Sequence, residues 1–354
     1  MNNDYNAARS KRRTSSRKSR RCLIFLIILV LLLGAVFSVH YLTSPMNASS
    51  EGVCRIDILP GSSTMTIAEE LKDNCLIRSV TMFKLISRMK GYDGQYKAGY
   101  YEFPESMSMT EIMDGIIDGK QKLISITIPE GFTLQQTAER VAESGLFTEE
   151  EFLKETAEGT FDFKYNAEAG SGANRYEGFL FPDTYQLTTG DSAHTLIQMM
   201  LNQFECVYDE EATGSETSSE WNVSQLVTVA SLVEREAKLD KERPLVASVI
   251  YNRLAKGMKL QFCSTVQYAL GTPKARLFER DLATDSPYNT YLYEGLPPGS
   301  IASPGRASLN AALHPAETDY LYFVLESAGS DTHNFASAGD EFASYKADYL
   351  SSLS

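Results

Sequence analysis

The sequence predicts an α+β protein in three parts: an N-terminal transmembrane helix, a small α/β module, and a larger mixed α/β domain. Three observations carry this. A run of 21 residues, 22–42, holds no Asp, Glu, Lys or Arg. A strand, a Pro/Gly turn and an amphipathic helix occur twice downstream, at 53–71 and 126–141. From about Leu146 the pattern becomes helical and loop-rich, with a break at 170–173.

The net charge of −13, from 33 basic and 46 acidic residues, hides a split. Residues 1–21 carry eight bases and one acid, +7, so residues 43–354 keep 25 bases and 45 acids, −20. With 43% hydrophobic and 22% charged residues, the acidic part can bury a core. No basic patch stands out in it, which argues against nucleic acid as a partner.

The run CLIFLIILVLLLGAVFSVHYL is long enough to cross a bilayer core of roughly 30 Å as a helix. By the positive-inside rule the basic tail 1–21 stays in the cytoplasm and residues 43–354 lie outside. A cleaved signal peptide fits less well: the apolar stretch exceeds the usual h-region, and His40 and Tyr41 stand where small residues belong. Of the five cysteines, Cys22 falls in this segment. Cys54, Cys75, Cys206 and Cys263 show no metal-site spacing, so no structural zinc is expected, and pairing of Cys54 with Cys75 stays open.

The alternation at 53–58 reads as a strand, Pro60-Gly61 as a turn, and Ile67, Ala68 and Leu71 as the apolar face of a helix. Residues 100–103 read as a further strand between two similar α/β units, the second opening at Ile126. The acids, Gly and Ser of 208–220 read as a solvated loop. Helices follow at 224–238 and 244–256, and a strand at 320–324.

The helix 224–238 is the most patterned. Leu226, Val229, Ala230, Val233 and Ala237 form an apolar stripe, and Glu234 and Glu236 fall at its edges, each roughly 80° from its centre on opposite sides. A carboxylic acid at such a border gains a raised pKa from partial burial and can donate a proton near neutral pH. The wheel does not choose between the two, and pairing with Arg235, Lys238 or Lys241 on a solvated face is the plain alternative.

The segments around this helix resemble a known family. EGFLFPDTY at 177–185, ASLVERE at 230–236, ER at 242–243, VASVIYNRL at 246–254, GMKLQ at 257–261, TVQY at 265–268, SPYNTY at 286–291, GLPPGSI at 295–301 and HPA at 314–316 occur in the order found in the endolytic murein transglycosylases of the MltG/YceG-like family. The resemblance runs from about Val53 to the C-terminus and includes the membrane segment.

It implies a LysM-like module at 53–128 and a YceG-like catalytic domain at 129–354 that cuts the MurNAc-β-1,4-GlcNAc bond within nascent strands, leaving 1,6-anhydroMurNAc ends. By motif position Glu236 is the catalytic acid/base and Glu234 its neighbour. Glu177, Asp183 and Tyr185 are expected to bind sugar hydroxyls or brace the helix, with Asp183 equally suited to capping beside Pro182. Gln261, Tyr288, Asn289 and Thr290 offer amide, phenol and hydroxyl groups of the kind that read N-acetyl sugars.

No metal or organic cofactor is implied, since the sugar's own C6 hydroxyl captures the anomeric carbon. Implied partners are peptidoglycan glycan strands, the cytoplasmic membrane and peptidoglycan synthases (penicillin-binding proteins). The implied placement is a single-pass cell-membrane protein whose catalytic domain is extracytoplasmic. A non-catalytic peptidoglycan-binding scaffold for those synthases is the competing reading. Two departures stand out. Relatives commonly read Gln-Thr-Asp-Pro-Thr where this chain has Gln261-Phe262-Cys263-Ser264-Thr265, and the tail motif His333-Asn334-Phe335 lacks a later histidine.

Overall fold

The computed structural model describes residues 4–50, 52–120, 122–188, 190–271, 274 and 277–353. The chain divides into two compact units, Met1–Leu123 with Thr188–Gly190, and Ile124–Leu187 with Asp191–Ser354.

In the first unit, α1 spans Asp4–Thr43 and contains the stretch Phe25–Thr43, apolar and long enough to cross a membrane, with none of it buried in protein. The helix starts well before the expected Cys22, through a tail whose six Arg and two Lys are good helix formers. The rest is β1 (Val53–Ile58), α2 (Thr64–Asp73), α3 (Val80–Lys90), β2 (Gly99–Pro104) and α4 (Met109–Asp118). β1 and β2 pair antiparallel with Ile56 opposite Tyr101. Alternation sends Ile56, Ile58, Tyr101 and Phe103 into a core shared with Ile67, Leu71, Phe83 and Ile116. Burying each such side chain is worth about 1.5–3 kcal/mol. Arg78 donates to the carbonyls of Ser44 and Pro45, both at 2.7 Å, and lies over the Tyr41 ring, which fastens the start of α3 to the end of α1.

The strand at 99–104 therefore closes the first unit on β1 and does not stand between two units. The strand–turn–helix repeat itself is present. Gly61 and Gly131 both take positive φ (80° and 76°), a region open to glycine, and Ser63 and Thr133 cap the helices that follow.

The second unit opens with β3 (Ile124–Thr127), α5 (Leu134–Ala142), α6 (Glu149–Glu158), β4 (Thr184–Leu187) and α7 (Ala193–Glu211). β3 pairs antiparallel with β4, Ile126 facing Tyr185, so residues 124–127 belong to this unit. There follow α8 (Thr217–Glu220), α9 (Val223–Glu236), a 3-10 turn (Asp240–Glu242), α10 (Arg243–Ala255), α11 (Cys263–Leu270), α12 (Glu279–Leu282), α13 (Arg306–Leu313), a hairpin of β5 (Tyr322–Leu325) and β6 (His333–Ala336), and α14 (Gly339–Ser352).

Two expectations change here. Residues 208–211 are the last turn of α7, not loop, because the Tyr208 ring is buried and stacks on Phe204 at 5.6 Å. And α9 is not a one-sided helix. Val227, Thr228, Ser231 and Leu232 are buried along with the apolar stripe, since α10, α11 and α13 all pack on it. Its two buried hydroxyls are satisfied: Thr228 donates to the Ser224 carbonyl, and Ser231 donates to that of Thr228 and accepts from the Ile301 amide. An Asn222–Gln225 capping box begins the helix, and extended Ala237 ends it.

Candidate active site

Glu236 is the last residue of α9, so the end of a buried, capped helix fixes its backbone. Its side chain reaches the first turn of α11, where Oε1 accepts a hydrogen bond of 2.5 Å from the Ser264 hydroxyl. The free N–H groups of that turn favour an anion nearby. Burial nevertheless raises the Glu236 pKa above its ordinary value, and the hydrogen bonds from Ser264 and the nearby Arg235 charge only offset part of this. The carboxyl borders an open pocket of about 440 Å³. Lys238, Phe323, Ser330, Asp331, His333 and Tyr349 also line it, with Lys238 and Asp331 paired at 2.7 Å on its rim. A carboxylic acid whose pKa is raised by burial, that opens on a pocket and has no ion pair among the described residues can act as a general acid.

Glu234 meets the reverse situation. Its Oε2 lies 2.8 Å from Arg243 Nη1 and accepts from the Gly305 amide at 3.0 Å, with both charged side chains under 10% exposed. Arg243 also bonds Asp240 and the Ser308 hydroxyl. The pair ties α9 to α10 and to the start of α13. Glu130 lies against the same place, its pKa raised by burial and by the Glu234 charge. A Cβ on Gly305 would fall 1.9 Å from the Glu130 carboxylate, so a larger residue there would push the Glu130 side chain aside.

The remaining sequence-predicted residues are mostly braces. Glu177, buried, accepts from the Leu134 amide at the first turn of α5 and from the Tyr268 hydroxyl at 3.1 Å. Burial pushes it up to about 7. Exposed Asp183 accepts from the Thr184 amide and from Gln203, at the entry to β4. Tyr185 is a core residue whose hydroxyl donates to the Phe181 carbonyl at 2.6 Å.

Asn289 is buried with its amide donating to the carbonyls of Leu282 and Thr284 and its oxygen accepting from the Tyr291 amide, so it has no group free for a sugar. Thr290 accepts from the Phe262 amide and bonds the Thr265 hydroxyl, holding the two neighbours that flank Cys263 and Ser264. Gln261, at positive φ (56°), donates its amide to the Thr290 carbonyl, and Tyr288 packs on Tyr268 with ring centres 4.8 Å apart. Among the predicted residues only Glu236 lines the pocket just described.

Three contributors go unassigned in the sequence reading: Ser264, Glu242 and His333. His333 Nδ1 lies 2.7 Å from Glu242 Oε2 and its backbone amide donates to Glu242 Oε1 at 3.2 Å. The sequence signals are slight. Ser264 lies in the departing segment 261–265, and His333 belongs to the tail motif.

A buried helix ending in a carboxylic acid with no ion-pair partner among the described residues, beside the amino end of a second helix and over an open pocket, is an arrangement able to donate a proton. The sequence pattern of the YceG-like family matches residues 56–348, and the chain belongs to that family. It is similar to the endolytic murein transglycosylase of Bacillus subtilis (strain 168), 36% identical over 308 residues, covering 84% of this chain and 85% of that one. The protein of the same name from Streptococcus pneumoniae (strain D39) is 33% identical over 336 residues, covering 85% of this chain, which spans 60% of the pneumococcal protein. A crystal structure of a YceG-like protein from Listeria monocytogenes superposes with a TM-score of 0.56 at 32% identity, over 83% of this chain and 99% of that one.

Proposed function

We propose that the protein is a membrane-anchored peptidoglycan lytic transglycosylase, cutting the MurNAc-β-1,4-GlcNAc bond inside glycan strands with Glu236 as catalytic acid/base. The observation that carries this is the contrast on α9: Glu234 is consumed in an ion pair with Arg243, while Glu236 faces a pocket with a raised pKa and, among the described residues, no cation paired to it. Protonated Glu236 gives its proton to the leaving glycosidic oxygen as the C1–O bond breaks. The C6 hydroxyl of the muramoyl sugar then closes on C1, and its proton restores Glu236. One carboxylic acid suffices because no water is activated, unlike the two-carboxylate glycosidases. The Ser264 hydroxyl and the first turn of α11 stabilise the carboxylate formed between the two steps.

In this reading α1 is a single-pass anchor with its basic end in the cytoplasm, residues 53–123 act as a LysM-like glycan-holding module, and the second unit, from Ile124 on, cuts strands as they emerge near peptidoglycan synthases. The Tyr41–Arg78 contact supports a module held at the membrane face. The acidic chain gains nothing from charge attraction to a largely neutral glycan, so hydrogen bonds and shape must hold substrate.

The test is the mass of products released from purified peptidoglycan. Anhydro-muropeptides are expected from the wild-type chain and none from Glu236→Gln. Products heavier by one water would indicate a hydrolase. Glycan binding without any new ends would indicate a scaffold.

A further inference from the structure

A histidine held by a carboxylate also lines the pocket. Glu242 spends both carboxylate oxygens on His333, one on the backbone amide and one on Nδ1, and both side chains are under 10% exposed. The imidazole is set edge-on to the Phe323 ring, with centroids 5.3 Å apart, and packs against Phe335. With Glu242 ionised, Nδ1 must carry the hydrogen, which makes Nε2 the acceptor. Nε2 has no protein partner among the described residues, and His333 lines the same pocket as Glu236. A histidine held only for packing needs neither a fixed tautomer nor a place at the pocket wall.

We propose that His333, held by Glu242, is the proton relay of this site: its Nε2 takes the proton of the substrate's C6 hydroxyl and passes it to Glu236. This rests on the transglycosylase reading above. As the C6 oxygen bonds to C1, the O–H bond breaks and the proton moves to Nε2. The resulting imidazolium is held by the Glu242 carboxylate and shares the pocket with the Glu236 carboxylate, so its charge is offset while it lasts. Transfer to Glu236 restores neutral imidazole and the protonated acid, and nothing else is consumed. The other charged or titratable groups at this place are the Lys238–Asp331 pair on the rim, Tyr349 from α14, and Arg235, which acts on Glu236.

The experiment follows kcat and KM against pH for the full-length chain in detergent, as wild type, His333→Gln, Glu242→Gln and Glu236→Gln, with melting temperatures as the check on folding. Glu242→Gln keeps the ring but turns an amide N–H toward Nδ1, which moves the ring hydrogen to Nε2 and blocks its acceptor. Both His333→Gln and Glu242→Gln are expected to lose about 100-fold or more in kcat with KM little changed. Both should also lose the acidic limb of the kcat profile, which reports the base, and keep the alkaline limb that reports Glu236. Where His333→Gln does not fold, Glu242→Gln alone decides. Wild-type kcat with an intact acidic limb in a folded variant overturns the relay and leaves the assignment of Glu236 standing. Wild-type anhydro-product release by Glu236→Gln overturns the transglycosylase assignment and the relay with it.

Discussion

Glu234 and Glu236 share one turn of α9, yet the two sides of that turn are different environments. On one side a nearly buried arginine and a backbone amide hold the Glu234 carboxylate and join three helices. On the other, a serine hydroxyl, the amino end of α11 and a pocket surround Glu236, whose pKa burial raises. The comparison teaches that a half-buried carboxyl becomes an acid only where the fold withholds a paired cation. With an arginine beside it, the same residue becomes a joint.

Breaking the joint should have the largest effect on stability. Arg243→Met strands the Glu234 charge and is expected to lower the unfolding free energy by about 3–5 kcal/mol in urea titration, most of it regained in Glu234→Leu/Arg243→Met. A loss under about 1 kcal/mol would mean that the pair is not buried in solution.

Glu177 extends the comparison to a buried carboxyl that has hydrogen bonds but, among the described residues, no ion-pair partner. Its folded pKa of about 7 lies above the ordinary 4.5, so the folded state binds the proton more tightly than the unfolded chain. The resulting stability is complete below about pH 4.5 and is lost as pH rises through 7. Glu177→Gln should flatten this slope, removing on the order of 3 kcal/mol of pH dependence over that window. Parallel slopes for the two proteins would place the Glu177 pKa elsewhere.

Ser264→Ala sharpens the other side. Loss of a hydrogen bond to the carboxylate should raise the Glu236 pKa further and move the alkaline limb of the rate profile up by about one pH unit. An unmoved limb would separate Ser264 from the acid. The smallest effect is expected at the pocket rim, where Lys238→Met breaks an exposed pair and should alter stability by less than about 1 kcal/mol.

Much of this was legible in the sequence where the signal is local. The strands at 53–58 and 99–104, the helices capped by Ser63, Thr133 and Asn222, and the edge position of the two glutamates all follow from spacing within a few residues. What stayed hidden depends on distant partners. β3 finds β4 across more than fifty residues, so the repeat suggests two like units without revealing their closing strands. Tyr208 looks like loop beside its acids until Phe204 and Tyr165 supply an aromatic cluster. Glu234 and Glu236 are equivalent on a helical wheel, and Arg243, Gly305 and Ser264, which distinguish them, come from three other elements. His333 and Glu242 are 91 residues apart. The polar motif residues Asn289 and Thr290 look like sugar ligands, but their groups are spent on the backbone of the loop beside Glu236.

The central claim is that the acid is Glu236 and not its neighbour. Release of anhydro-muropeptides by Glu236→Gln and Glu234→Gln, each normalised to folded protein by its melting curve, tests it most directly. The account predicts a folded, silent Glu236→Gln and a destabilised Glu234→Gln that keeps turnover per folded molecule. Wild-type release by folded Glu236→Gln would contradict it.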